Sequence, residues 1–286
     1  MASNLAQRIA VSAVAIPLAV GAIWLGGWPL AAILAVLGVL GTREVYDLAR
    51  RQGIEALDAT GWLAAAAIPL ATYWAKGSEE RWAEPALYVG ALWIMTALVV
   101  AMIRRGPTGR PLAAVAVTLF GCLYASGLLA FLIPIRHGVN AAHRPFAYLC
   151  LAAFPLVITW IGDTCAMAVG VRVGGPKLAP MLSPNKTRAG AVGGLAGAVV
   201  TALALGLLVL NHRGWNFAVW QLIAVGVVVG LVAQVGDVAE SLFKREAGVK
   251  DSSSLIPGHG GVLDRLDSLY FVVPVAAGLY KLYGVI

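Results

Sequence analysis

The sequence predicts an all-α polytopic membrane protein, and two observations carry this prediction. Hydrophobic residues make up 60% of the 286 residues and charged residues only 12%, a balance typical of membrane proteins. Apolar runs close to the length that crosses a bilayer recur along the chain. In lipid such runs must be helical, because an exposed strand edge would find no hydrogen-bond partner there.

We count about nine candidate transmembrane helices from these runs. They cover residues 9–28, 29–42, 60–75, 85–103, 111–135, 146–171, 189–210, 217–239 and 266–285. The second and third runs are short, so tilted or re-entrant helices remain open there. The first run has only Arg8 as a basic flank and no small-residue cleavage site after it, so we interpret it as a retained helix rather than a signal peptide.

The basic residues predict the orientation of these helices. With a cytoplasmic N-terminus, fifteen of the 21 Lys and Arg residues fall in cytoplasmic connections and six on the other side. The positive-inside rule therefore favours a cytoplasmic N-terminus and a C-terminus on the opposite side. The net charge of +7 follows from this topology and does not indicate a nucleic-acid partner.

The chemistry is concentrated in the second half of the chain. We expect residues 1–145 to form a helical scaffold and residues 146–286 a catalytic region with cytoplasmic loops at 172–188 and 241–267. Residues 42–58 mix charged and apolar side chains at helical spacing, which predicts an extension of the second helix along the membrane surface. Three cysteines lie within apolar runs without metal-ligand spacing and are interpreted as buried packing residues.

Carboxylates within or beside apolar runs are the main anomaly. Asp163 lies inside one run, Asp237 and Glu240 close another, and Asp264 and Asp267 open the last. An ionisable side chain in a membrane segment is a functional hypothesis by default. A structural hydrogen bond between helices stays open as the alternative, for Asp163 above all.

The connection between the last two predicted helices combines acidic, basic and glycine residues. Asp237, Glu240, Ser241 and Lys244 are spaced to share one face of a helix. In the loop 248–263, glycines around His259 allow the backbone to approach an anionic ligand closely; these glycines are Gly258, Gly260 and Gly261. The P-loop pattern is absent.

This combination indicates phosphate chemistry. Oxygen ligands select a hard cation such as Mg²⁺, which binds through one or two carboxylates and then through substrate phosphates. Basic side chains neutralise further phosphate oxygens, and here they are Lys244, Arg245, Lys250 and Arg265. Phosphoryl or nucleotidyl transfer requires such a set of groups.

A second polar segment lies just before a predicted helix. Its candidate ligands for phosphate are Ser183, Asn185, Lys186 and Thr187. Helix N-termini bind anions, so the segment is a candidate phosphate site. A capped turn with a lysine that obeys the positive-inside rule stays open as the alternative.

At these residues the chain resembles the phosphatidate cytidylyltransferase family, the CDP-diacylglycerol synthases. The family signature is met by Ser241, Phe243, Lys244, Arg245, Lys250, Asp251, Pro257, His259, Gly260, Gly261, Val262, Asp264, Arg265, Leu266 and Asp267. The upstream Ser-Pro-x-Lys-Thr pattern of the family is matched by Ser183, Pro184, Lys186 and Thr187. The resemblance covers the chain well from about residue 155 onward. One departure is Arg188-Ala189, where the family usually has Trp-Glu, so no role of that acid is carried over.

The resemblance implies transfer of CMP from CTP to phosphatidate, which gives CDP-diacylglycerol and pyrophosphate. It implies metal-assisted in-line transfer at the cytoplasmic face of a prokaryotic inner membrane. Asp237 and Asp264 are expected to hold Mg²⁺, with Asp267 and Asp163 as further ligands or supporting residues and a second cation left open. Lys244 and Arg265 are then catalytic.

The substrate-binding set that the resemblance implies is Ser183, Asn185, Lys186, Thr187, Ser241, Arg245, Lys250, His259, Gly260 and Gly261. For His259, a structural role in the loop stays open.

Other classes of protein are less well supported by these residues. Asp163, Asp237 and Glu240 would also suit the relay of a transporter, but the glycine-rich loop and the lack of an inverted repeat argue against it. A related transferase acting on an isoprenoid phosphate stays open. CDP-alcohol phosphotransferases do not match, because their Asp-Gly-x-x-Ala-Arg pattern is absent. The small residues of 190–197 permit close helix packing, within this chain or in a homodimer.

Overall fold

A computed structural model describes residues 17–76, 79–256, 258 and 260–286. The predicted helical architecture is confirmed over these residues. The helices are α1 (17–25), α2 (Gly27–Arg50), α3 (Asp58–Trp74), α4 (Glu79–Arg105), α5 (Pro111–Cys122), α6 (Leu128–Ala130), α7 (Leu132–Arg136), α8 (Pro145–Val173), α9 (Arg188–Leu205), α10 (Val219–Glu246) and α11 (Leu263–Leu282). Short π-helical turns at Leu123–Gly127 and Gly206–Leu210 continue α5 and α9.

Six helices of the described residues are long and apolar enough to cross a membrane, so the chain is an integral membrane protein. They are Gly27–Arg50, Glu84–Arg105, Pro111–Arg136, Pro145–Val173, Arg188–Arg213 and Val219–Glu246. Helices α3 and α11 coincide with two further predicted runs, but α3 has only 17 residues and α11 begins with several charged residues. The predicted number of nine spans and the side of each terminus stay predictions.

The described chain divides into two compact units. Unit 1 comprises residues within Met1–Ile133 together with Glu246–Arg265, and unit 2 comprises Pro134–Arg245 together with Leu266–Ile286. Most of the loop that connects α10 to α11 therefore groups with the N-terminal helices. These compact units do not test the predicted division into a scaffold (1–145) and a catalytic region (146–286), which stays a prediction.

The core of unit 1 is built around Tyr46 of α2. Its side chain is fully buried, and its hydroxyl donates a hydrogen bond of 2.8 Å to the carbonyl oxygen of Thr118 in α5. Gly61 and Gly121 face the same ring, so α3 and α5 can approach α2 closely. Residues 42–58 were predicted to extend the second helix along the membrane surface. Helix α2 does continue to Arg50, but many side chains of 42–50 are buried, residues 51–57 are not helical, and Asp58 begins α3.

Small residues bring the helices of unit 2 together. A Cβ atom at Gly194 of α9 would lie 2.8 Å from the Cβ atom of Ala166 in α8. A Cβ atom at Gly226 of α10 would lie 2.7 Å from the Cα atom of Val199 in α9. The run of small residues at 190–197 is therefore used in packing within this chain.

A two-stranded antiparallel hairpin stands where the sequence predicted a loop. Strands β1 (Lys177–Ala179) and β2 (Ser183–Thr187) pair with Lys177 opposite Thr187. Gly174 and Gly175, both with positive φ, end α8, and the prolines that follow prevent a new helix. Strands this short contain too few residues to show an alternating pattern, so the all-α prediction omits them.

We predict that Gly61→Ala destabilises unit 1. The added Cβ atom would lie 1.7 Å from the Tyr46 hydroxyl oxygen, and the buried ring has little room to move. Overpacking of this kind costs about 1–3 kcal/mol. The measurement is the temperature at which detergent-solubilised protein loses its monodisperse peak in size-exclusion chromatography. Gly90→Ala in α4 is the control, since no atom lies within 4 Å of the added Cβ atom; equal stability of the two variants would contradict the prediction.

Candidate functional site

Three carboxylates and one ammonium group form a charged cluster in unit 2. Lys186 of β2 forms an ion pair with Asp237 of α10. Asp163 of α8 and Asp267 of α11 both interact electrostatically with Asp237 and with Lys186. We call these four residues the acidic cluster.

Close packing of α10 on α11 brings two members of the acidic cluster together. Gly236 precedes Asp237, and a Cβ atom there would lie 2.8 Å from the carbonyl oxygen of Asp267 and 3.2 Å from the Cα atom of Ser268. Any larger residue would push the helices apart at the level of the cluster. Asp163 lines a small cleft whose other lining residues are largely small residues of α8, α9 and α10.

The hairpin holds Lys186 at the acidic cluster. Thr187, the residue after Lys186, caps α9 by accepting a 3.0 Å hydrogen bond from the Gly190 amide. The Arg245 guanidinium of α10 donates to the carbonyl oxygen of Leu182 at 3.2 Å, which ties the hairpin turn to α10. The capped-turn interpretation is thus confirmed for Thr187. Lys186 faces the carboxylates and is not confined to a surface turn.

The acidic cluster has side chains of the type that bind cations. When all three carboxylates are ionised they outnumber the one ammonium, and a bound cation would then relieve their mutual repulsion. Within the described part of the chain, no group of three or more His, Cys, Asp or Glu side chains is spaced to hold a metal ion by itself. Mg²⁺ needs fewer protein ligands, since it usually binds through one or two carboxylates and substrate phosphates. The carboxylate oxygens of the acidic cluster are of the type that Mg²⁺ prefers, and a magnesium site there stays a prediction.

A second ion pair lies further along α10. Glu240 is completely buried, and its carboxylate pairs with the Lys244 ammonium one turn later. Ser241 is also buried. Removing either partner of such a pair would leave a buried charge, which is strongly destabilising. Lys244 therefore neutralises the buried Glu240, and the catalytic role that the sequence predicts for it stays a prediction.

The loop between α10 and α11 surrounds the Asp264 carboxylate in unit 1. Its Oδ2 atom accepts hydrogen bonds from the Ser252 amide at 2.8 Å, the Ser252 hydroxyl at 2.7 Å and the Gly261 amide at 2.8 Å. Gly260, at φ 82°, makes room for this carboxylate, because a Cβ atom there would lie 2.5 Å from Oδ2. Sequence reasoning assigned Gly260 to substrate binding; the structure gives it an internal role as well.

Glu44 is the residue that sequence reasoning missed. It lies on α2, is 3% exposed, and accepts hydrogen bonds from residues of the same loop. Its partners are more than 200 positions away in the chain, so no local pattern could have found them. The one available signal was an acidic residue two positions after an apolar run.

The remaining predicted residues fall into three groups. Lys250, Arg245, Asn185 and Arg265 are exposed, and Ser183 is half-buried. His259 lies outside the described residues. Asp237, Asp163 and Asp267 belong to unit 2 and Asp264 to unit 1, so the convergence of Asp237 with Asp264 stays a prediction.

Comparison with known proteins identifies the family. The Cytidylyltransferase family matches residues 6–283, which is nearly the whole chain. The chain belongs to this family. The match extends the resemblance, which sequence reasoning limited to the second half, into the N-terminal helices that carry Glu44.

Curated relatives in this family are bacterial. A protein of Brucella suis biovar 1 named phosphatidate cytidylyltransferase is 42% identical over 164 residues, 57% of this chain and 56% of the relative. Proteins with the same name from Staphylococcus saprophyticus and Staphylococcus aureus (strain COL) are 43% and 44% identical over 122 residues, 43% of this chain and 45% of each relative. These matches span about half the length of the relatives.

We predict that Lys186→Met destabilises unit 2 and that Asp237→Asn partly restores it. Without the ammonium, the carboxylates repel one another; removing one charge relieves that repulsion. Because Lys186 and Asp237 are partly exposed, the expected loss is about 1 kcal/mol, or roughly 2–4 °C in Tm. A double-mutant cycle measures the coupling, and Asn185→Ala on the same strand is the control. Strictly additive changes would show that the two side chains do not interact.

Proposed function

We propose that this protein transfers CMP from CTP to phosphatidate and so produces CDP-diacylglycerol and pyrophosphate. The acidic cluster with Lys186, set among apolar helices of a cytidylyltransferase-family protein, is the observation that carries the proposal. The name shared by the bacterial relatives supports phosphatidate as the acceptor.

The reaction needs little acid–base chemistry from the protein. An anionic phosphate oxygen of phosphatidate attacks the α-phosphorus of CTP, a new P–O bond forms, and the bond to the β-phosphate breaks. Pyrophosphate leaves with the bonding electron pair. Because the nucleophile is already anionic, the protein mainly has to align two polyanions and neutralise their charge.

The acidic cluster would hold Mg²⁺ through Asp237 with Asp163 or Asp267, and we retain Asp264 as a ligand implied by the family resemblance. Mg²⁺, when bound, neutralises phosphate oxygens and favours in-line displacement. Lys186, which pairs with Asp237 in this structure, would bind a substrate phosphate through its ammonium group. Arg265, Lys250 and Arg245 are exposed, and we assign them to the nucleotide phosphates.

The location follows from the same charges. We propose that the polar loops face the cytoplasm, since that side receives most of the Lys and Arg residues under the positive-inside rule. The acyl chains of phosphatidate would stay in the bilayer, while its headgroup reaches the acidic cluster from the membrane edge. The bacterial origin of the relatives is consistent with an inner-membrane protein.

The proposal is tested with labelled CTP and purified protein in mixed micelles. We expect label to appear in CDP-diacylglycerol only when phosphatidate is present, to vanish with a chelator, and to return with Mg²⁺. Asp237→Asn should lower the rate at least about 100-fold, while Glu246→Gln at the exposed end of α10 leaves it unchanged. Transfer to an isoprenoid phosphate instead of phosphatidate, or activity insensitive to chelation, would contradict the proposal.

Asp264→Asn separates a ligand from a loop-forming residue. The amide oxygen of asparagine can still accept from Ser252 and Gly261, so the loop should keep its conformation while the charge is lost. We expect a folded protein with product formation reduced at least about 100-fold. Near-normal turnover would remove Asp264 from the proposed metal ligands. Asp264→Ala, which also removes the hydrogen-bond acceptor, should in addition lower Tm.

A further inference from the structure

Glu44 anchors the loop that carries the family signature. Its Oε1 atom accepts from the Ser253 hydroxyl at 2.7 Å and the Val262 amide at 2.9 Å. Its Oε2 atom accepts from the Leu263 amide at 2.8 Å and lies 3.0 Å from the Ser252 hydroxyl, whose single proton is shared with Asp264. One buried carboxylate of α2 thus binds both ends of the segment 252–263.

The arrangement demands a carboxylate and not merely a polar side chain. Each oxygen faces one hydroxyl, which can reverse its role, and one backbone N–H, which cannot. A glutamine amide would therefore place its NH₂ group against the N–H of Val262 or of Leu263, whichever way it is turned. Such a buried donor facing another donor is left unsatisfied, which costs about 1–3 kcal/mol.

The start of α11 adds a favourable electrostatic contribution. Val262 and Leu263 are the residues at which α11 begins, and the first N–H groups of a helix have no partner within it. The Glu44 carboxylate satisfies two of them from another helix and lies at the positive end of the α11 dipole. The direction of the first turn of α11, which contains Asp264 and Arg265, is therefore fixed by α2.

Glu44 packs so closely against the loop that position 261 has no room for a side chain. A Cβ atom on Gly261 would lie 2.4 Å from both carboxylate oxygens of Glu44 and 2.2 Å from the Ser252 hydroxyl. Ser252 in turn donates to Asp264. Glu44, Ser252 and Asp264 thus form one connected hydrogen-bond network, in which glycine at position 261 leaves the space that the carboxylate occupies.

We propose that Glu44 is a positioning residue of the enzyme: it sets the conformation of the loop that presents Lys250, Asp264 and Arg265 to the nucleotide. This inference rests on the proposed function for the substrate, whereas the hydrogen-bond network itself does not. A residue that positions substrate ligands affects KM and kcat of the folded enzyme, and a residue that only adds stability affects Tm alone.

The experiment compares Glu44→Gln with Asp47→Asn in purified protein. Asp47 lies one turn further along α2, is partly exposed and pairs with Arg50 on the surface, so it is a matched control for the loss of one carboxylate. For folded, monodisperse Glu44→Gln we expect kcat/KM for CTP to fall about 10–100-fold, with faster amide hydrogen exchange in the peptide that covers 252–263. Asp47→Asn should match the wild type in both measurements.

Two outcomes would overturn the inference. Exchange at 252–263 that is unchanged in Glu44→Gln would show that the carboxylate does not anchor the loop. Faster exchange with unchanged kcat and KM would reduce Glu44 to a stabilising residue. An inactive wild-type protein would instead refute the proposed function, and the exchange measurement would still test the anchor.

A milder variant covers the case in which Glu44→Gln does not fold. Ser253→Ala removes one of the four donors and leaves both amide contacts intact. We expect a smaller change of the same sign in exchange and in kcat/KM. A wild-type result in both measurements for Ser253→Ala would count against the network.

Discussion

Carboxylates that lie among apolar helices need partners, and the kind of partner that each one has decides what it can do. In unit 2, Asp163, Asp237 and Asp267 lie around one ammonium group, and Asp267 also accepts a hydrogen bond from the Ser268 amide. In unit 1, Glu44 and Asp264 are surrounded by hydrogen-bond donors instead. In the proposed function a cation completes the first arrangement, whereas the acceptors of the second hold the protein's own backbone.

Glycine serves this compensation in both units. Gly236 lets α10 approach α11 at the acidic cluster, and Gly261 leaves room for the Glu44 carboxylate. From the sequence, the glycines of the His-Gly-Gly segment were expected to leave space for an anionic group of the substrate. In the structure, the space beside Gly260 and Gly261 accommodates anionic side chains of the protein itself. At Gly260 and at Gly261 a carboxylate lies close to the backbone and binds its N–H groups, and a side chain would occupy that space.

The sequence was most informative where a residue conflicts with its surroundings. Asp163 stands inside an apolar run, and that conflict was enough to select it before any neighbour was known. The helical class was predicted from the apolar runs, because backbone groups in lipid must find their hydrogen bonds within the segment. Glu44 could not be selected in this way, because it sits among charged residues near Arg43 and Asp47 that resemble a surface segment. Its partners become visible only once the chain is folded, and the hairpin that holds Lys186 is too short to give a periodic signal.

The signature motif is one stretch of sequence, but its residues belong to two structural units. Its beginning up to Arg245 and its end from Leu266 belong to unit 2, whereas Glu246–Arg265 belong to unit 1. Substitutions at Asp237 or Asp267 therefore act on the charge balance of the acidic cluster, and substitutions at Gly261 or Glu44 act on a hydrogen-bond network. The two kinds of change can be distinguished by experiment: we expect altered cation dependence in the first case and altered hydrogen exchange in the second. The motif thus contributes Asp267 to the acidic cluster and also supplies the loop backbone, between α10 and α11, that Glu44 binds.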